Sequence, residues 1–192
     1  GMVHQEFSLI PGFTATENIL LNREPQKKNV ISEVFGPRLN TLDYKKMKTK
    51  AAEAIDKMGV EIDQNMVISD MPVGHKQFTE IARELSKDQL KLLILDEPAN
   101  FVDNKFENEL YRTLHELNRR MAIVMVSHDI GTITSVVKEI VCVNRRVHRH
   151  HSNVITEEQL RNYDCPIQIV SHGHIPHTVL EHHPGDCCCD HD

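Results

Sequence analysis

Tryptophan is absent from the chain and aromatic residues make up only 5% of it, so any core must be built mainly from aliphatic side chains. No apolar run approaches the roughly 18 residues of a membrane span. There is also no basic stripe. The 192 residues carry a formal charge of -6, whereas a nucleic-acid binder presents a positive face, so nucleic acid is not an expected partner. A charged-then-apolar signal segment is missing from the N-terminus. Cys142 and Cys165 read as free thiols, which points to the cytoplasm. At 40% hydrophobic and 26% charged, the composition is that of a globular chain of one domain or one and a half.

The most informative run is Leu92, Leu93, Ile94 and Leu95, followed by Asp96, Glu97 and Pro98. Four aliphatics bounded by charge predict a buried strand. If the strand is parallel to its neighbours, its carboxylates stand at the rim where α/β proteins bind ligands. A nucleoside triphosphate site needs one carboxylate to hold Mg²⁺ through its waters and another to position the attacking water. Asp96 fits the first role and Glu97 the second. An ordinary strand with a charged end would read the same way, so the neighbours must decide.

Downstream the pattern is α/β. Residues 104–120 place Phe106, Leu110, Leu114 and Leu117 at helical spacing. Residues 121–126 are a continuous apolar run that predicts a second buried parallel strand, tipped by Ser127, His128 and Asp129. A short helix over 131–138 and a third strand over 139–144 complete a βαβ pattern. Upstream, residues 13–86 read as mostly helical, with a short helix over 15–22, a loop over 24–29 and a Lys- and Ala-rich helix over 43–58. The lysines from Lys45 to Lys50 read as a solvated face, and His115 as exposed. Met71, Pro72, Val73, Gly74 and His75 form a turn by composition, opening a helix that carries Phe78, Ile81, Ala82 and Leu85. A glycine-bearing turn opening a helix is a natural seat for an anion.

In this order the pieces resemble the ATPase subunit of ATP-binding cassette (ABC) transporters. Gln5 resembles the Q-loop glutamine, residues 71–77 the signature loop and residues 92–97 the Walker B strand. Residues 100–103, ending in Asp103, resemble the D-loop, and His128, 31 residues after Glu97, the switch histidine. The resemblance implies an α/β fold of the P-loop NTPase type, with a helical subdomain and a truncated parallel sheet. The implied segments are a Q-loop segment over 1–12, a helical subdomain over 13–90, a Walker B, D-loop and switch part over 91–145, and a His- and Cys-rich tail over 146–192. The resemblance also implies ATP and Mg²⁺ as cofactors. Glu97, His128 and Gln5 would be catalytic, while Asp96, Pro72, Val73, Gly74, His75 and Asp103 would contact nucleotide or metal. The implied partners are a second ATPase subunit, head to tail, and transmembrane permease subunits, with the chain peripheral on the inner face of the cell membrane.

The chain departs from the family pattern in three ways. No Gly-Lys pair occurs anywhere, so the Walker A loop that cradles phosphates is not in this sequence, which resembles a fragment beginning at the Q-loop. The signature has Pro72 where the family has serine, removing a hydroxyl and an N–H, although Gly74 keeps the close backbone approach. Finally, the front half resembles sugar-importer ATPases, while Val126 to Gly131, Cys142 to Arg145 and the segment after Ser152 resemble zinc- or manganese-importer ATPases. A chimera joined near the Walker B strand is the corresponding expectation.

Nine of the thirteen histidines lie after residue 146: His148, His150, His151, His172, His174, His177, His182, His183 and His191. With Cys187, Cys188 and Cys189 they offer the donors of a Zn²⁺ site, with His172, His174, His177, His182 and His183 as its nearest candidates. No paired ligand spacing is present, and a polar tail with adventitious affinity reads the same way. Three functions follow: an ATPase, a degenerate subunit lending a half-site to a partner, and a metal-binding interaction protein.

Overall fold

The computed structural model describes residues 1–27, 41–87, 89–100, 102–127, 136–144, 146–150, 167–172 and 175–180. The chain divides into two units, residues 1–126 and 127–192.

The first unit opens with strand β1, Met2–Val3, followed by helix α1, Ala15–Ile19. Five residues are too few to hold a helix by themselves. A capping box closes its start, with Thr14 Oγ1 accepting from the Glu17 N–H at 3.3 Å and Glu17 Oε2 accepting from the Thr14 N–H at 2.8 Å. Strands β2, Gln26–Lys27, and β3, Thr41–Leu42, pair antiparallel. Helix α2, Tyr44–Asp56, begins where the buried Asp43 carboxylate accepts the Lys46 N–H at 3.2 Å. Its buried face is Met47, Ala51, Ala54 and Ile55, while Lys45, Lys46, Lys48 and Lys50 lie in solvent as their spacing predicts.

A 3-10 turn over Ile68–Asp70 leads into helix α3, Val73–Leu85, which buries Phe78, Ile81, Ala82 and Leu85. Residues 73–75 were expected in a turn but already belong to this helix. Pro72, which lacks an N–H that an intrahelical bond would use, stands at its N-cap. Strand β4, Leu92–Asp96, helix α4, Asn104–Leu117, and strand β5, Ala122–Val126, complete the unit.

The sheet is parallel, in the order β1, β4, β5. Val3, Leu93 and Leu95 are fully buried on its inner face, in one cluster with Phe78, Ile81, Leu110, Leu114 and Leu117. The outer face leaves Met2, Leu92, Val124 and Val126 exposed, Val126 by 52%. The run 121–126 was expected to be buried throughout, but successive side chains of a strand point to opposite faces and only one face meets the helical core.

In the second unit, β6, Ile140–Asn144, pairs antiparallel with β7, Arg146–His150, and β8, Ile167–His172, with β9, Ile175–Leu180. The strand over 140–144 was expected to be the third of the parallel sheet. It forms a hairpin instead, because its partner follows at once in sequence and closing so short a loop costs little entropy. Among the described residues the third parallel strand is β1, only two residues long. The helix expected over 131–138 falls mostly outside the described residues.

Candidate functional site

Asp96 closes β4 opposite Val126 of β5, half-buried at the C-terminal end of the sheet. The Glu97 N–H donates to the Val126 carbonyl at 2.9 Å, extending the ladder by one residue. Glu97 then adopts φ 46°, a left-handed conformation that few non-glycine residues take, and its carbonyl accepts the Asn100 N–H at 3.1 Å. The two adjacent carboxylates thus leave the central strand at a sharp turn, with Pro98 buried behind them.

Gly74 sits in the first turn of α3, buried against the Phe106 ring of α4, so that a Cβ there would overlap the ring. Phe106 stacks in turn on Phe78, with centroids 4.6 Å apart at 50°. Pro72 and Val73 are exposed and His75 is half-buried, its carbonyl accepting the Thr79 hydroxyl at 2.8 Å. The turn therefore presents an open N-terminus on a 13-residue helix.

Asp103 is exposed and caps α4, its Oδ1 accepting the Phe106 N–H at 2.8 Å. That role is structural. Gln5 is exposed in the segment between Val3 and Leu9, both buried.

His128, His174, His182, His183, Cys187, Cys188 and Cys189 lie outside the described residues. His172 stands opposite Ile175, and His177 opposite Val170, in the hairpin of β8 and β9. Among the described residues no group of three His, Cys, Asp or Glu side chains could hold a metal ion. No described helix is long and apolar enough to cross a membrane.

Sequence reasoning missed Glu80 and Glu84. Glu80 is wholly buried and Glu84 nearly so, on the inward side of α3. Glu80 Oε1 accepts the Ser8 N–H at 2.6 Å and pairs with Arg83 at 3.3 Å. Burial pushes its carboxyl above the ordinary glutamate range, against the Ser8 N–H and the Arg83 and His4 charges, with Glu84 adding to the rise. The signal was available, since two carboxylates four apart fall on the same helical face as Gln77 and Ile81.

Residues 1–100 match the ABC transporter family. The chain is 35% identical over 162 residues to the ribose import ATP-binding protein RbsA 2 of Burkholderia cenocepacia, covering 84% of this chain and 29% of that protein. It is 31% identical over 144 residues to the ribose import ATP-binding protein RbsA of Chelativorans sp., covering 74% and 26% respectively. To the D-allose import ATP-binding protein AlsA of Escherichia coli it is 31% identical over 134 residues, covering 69% and 25%. The chain thus spans about a quarter of the length of these relatives, and a match covering 84% of it extends well past Asp96. Among solved structures, a metal-chelate type ABC transporter in an inward-facing conformation superposes with a TM-score of 0.71 at 18% identity, covering 95% of this chain and 73% of that one. A dimeric ATP-binding cassette with ADP and Pi superposes with a TM-score of 0.57 at 24% identity, covering 78% and 62%. These likenesses establish a mixed α/β fold of the ABC ATPase type. On the family match and the relatives together, this chain belongs to the ABC transporter family.

Proposed function

We propose that the chain contributes the Walker B, signature and Q-loop part of an ATP-hydrolysing subunit of an ABC importer, coupling ATP hydrolysis to sugar uptake. The observation that carries this reading is the position of Asp96 and Glu97 at the C-terminal end of the central parallel strand, in the unit whose α3 presents an open N-terminus at Val73. Two carboxylates are a hard oxygen donor set suited to Mg²⁺. When bound there, Mg²⁺ would neutralise charge developing on the phosphates. Asp96 would hold it through water, and Glu97 would orient the attacking water.

Pro72, Val73, Gly74 and His75 would offer the N-terminus of α3 to a γ-phosphate held by a partner subunit, since free N–H groups and the helix dipole both favour an anion there. Gln5 would sense a γ-phosphate, Asp103 would contact nucleotide or metal, and His128 is proposed as the switch histidine. Because the sequence contains no Gly-Lys pair, the phosphate-cradling loop must come from another segment or chain. The site is then composite, completed head to tail with a second ATPase subunit. Phe7, Ile10 and Phe13, which follow Gln5 in the sequence, are exposed apolar side chains suited to permease subunits at the inner face of the membrane. The relatives' role in ribose and allose import supports a sugar as the transported solute.

The test is ATP turnover by a cassette that carries the Gly-Lys loop, measured with and without this chain. Turnover should rise when the chain is added and return to the starting rate with Glu97→Gln. No change in turnover or ATP affinity at saturating chain would overturn the reading.

A further inference from the structure

Three side chains of α3 reach the segment that carries Gln5. Glu84 Oε2 accepts the Met2 N–H at 3.2 Å, Glu80 Oε1 accepts the Ser8 N–H at 2.6 Å, and Arg83 Nη1 donates to the Ser8 carbonyl at 2.9 Å. Gln5 lies between these anchors and is exposed. Both carboxylates are buried, which strengthens their bonds to the two amides.

We propose that Glu80, Arg83 and Glu84 are positioning residues that clasp both ends of the Gln5 loop to the helix beginning at Val73, so that Gln5 and the N-terminus of α3 move as one body. The consequence for nucleotide sensing rests on the role given to Gln5 above; the clasp itself does not.

The chemistry makes the clasp conditional. A buried carboxylate is stable only when paired and hydrogen-bonded. Glu80 Oε1 receives both Ser8 and Arg83, while Oε2 has no hydrogen-bond partner. The charged groups facing it are Arg83 and Glu84 from α3 and His4 from the loop. One shell further out, Lys87 pairs with Glu84, and the Arg23 guanidinium donates to the Arg83 carbonyl. Protonating Glu80 weakens both of its charge-assisted bonds. The Ser8 end then loosens, while Glu84 stays paired with Lys87 at the Met2 end.

Amide exchange and chemical shifts of the isotope-labelled chain test this directly. Glu80→Ala should lower the protection of the Ser8 amide by roughly tenfold to a hundredfold, the loss of a hydrogen bond to a charged acceptor. Residues 4–7 should follow, while residues 78–85 keep their protection. Glu80→Gln keeps the acceptor and the shape, so its loss should be smaller. In the wild type the Ser8 amide shift should titrate with an inflection above the ordinary glutamate range, and Glu80→Gln should abolish it. Unchanged protection over residues 4–8 in Glu80→Ala would overturn the proposal, as would an equal loss throughout α3 or a Ser8 shift that does not titrate. If Glu80→Ala does not fold, the wild-type titration decides alone. No nucleotide enters the measurement. Its failure overturns the clasp and leaves the composite site standing, whereas failure of the turnover experiment overturns the composite site alone.

Discussion

The ring of Phe106 lies against the Cα of Gly74, filling the space where any side chain at that position would begin. The glycine of the signature turn is therefore held by packing between α3 and α4, whatever ligand approaches its other side. Gly74→Ala should destabilise the chain by about 1–3 kcal/mol, the range for overpacking a filled site. Chemical denaturation would measure it. Phe106→Ala on its own should also destabilise, by opening a cavity beside Phe78. The double variant should be much less damaged than the sum, since the smaller side chain vacates the space the new methyl needs. Additive losses would place the strain elsewhere. Loss of ATP turnover in Gly74→Ala then cannot be ascribed to the phosphate contact unless stability is measured beside it.

Asn18 shows how a short helix is held. Fully buried, it accepts the Ile10 N–H at 2.7 Å and donates to the Ile10 carbonyl at 3.2 Å and the Thr14 carbonyl at 3.0 Å. Asn18→Asp keeps the shape but replaces the donor with an oxygen facing two carbonyls. It should cost more than the roughly 1–3 kcal/mol of an unsatisfied buried group at neutral pH. Part of the loss should be recovered in acid, where the protonated carboxyl again offers one donor. A denaturation midpoint that does not depend on pH would count against this account.

Two carboxylates should give opposite pH signatures. Glu80 is raised in the folded chain, chiefly by burial, so its contribution to stability is present below its unfolded pKa and is lost as pH rises through the folded value. Wild type should therefore lose stability relative to Glu80→Gln as pH rises from the ordinary glutamate value of about 4.3 through the higher folded one. Asp43 is lowered: burial opposes its charge, but the Lys46 N–H and the Lys27 and Lys46 charges outweigh it. Its contribution is present above the unfolded pKa and lost as pH falls through the folded one. Wild type should thus lead Asp43→Asn at neutral pH and lose that lead in acid. Parallel urea titrations of the three proteins, from below the ordinary aspartate value of about 3.9 up to neutral pH, would check both signs.

Much of the fold was legible because it is written in local periodicity. The four aliphatics of β4, the stripe of Met47, Ala51, Ala54 and Ile55 in α2, and the spacing of Phe78, Ile81, Ala82 and Leu85 in α3 are all one-dimensional patterns. The strand Met2–Val3 was not legible, since two residues carry no period and its place depends on pairing with Ile94 and Leu95 about ninety positions away. Strand β6 was misplaced for the opposite reason: its apolar pattern says strand, but not which sheet. At the candidate site, the placement of Asp96 and Glu97 followed from the strand. The clasp of Glu80 on Ser8 did not, because its partners are 72 residues apart and only the fold brings them together.

The turn at Glu97 stores conformational strain at the end of the strand that carries the candidate carboxylates. An L-residue in this region sets its Cβ against the neighbouring carbonyl, at a cost of about 1–2 kcal/mol that glycine escapes. Where φ is negative and a Cβ has room, glycine should be less stable than alanine because it leaves the unfolded state more freedom. At position 97 the order should invert. Glu97→Gly should be more stable than Glu97→Ala by about 1 kcal/mol, and neither retains the carboxylate, so the comparison isolates the backbone. Thermal or urea unfolding of the pair would read the difference. If alanine is the more stable of the two, the left-handed turn is not strained and the position of Glu97 costs the fold nothing. If glycine is, a glutamate stands where the backbone favours another residue, as expected where a site keeps a side chain for its chemistry.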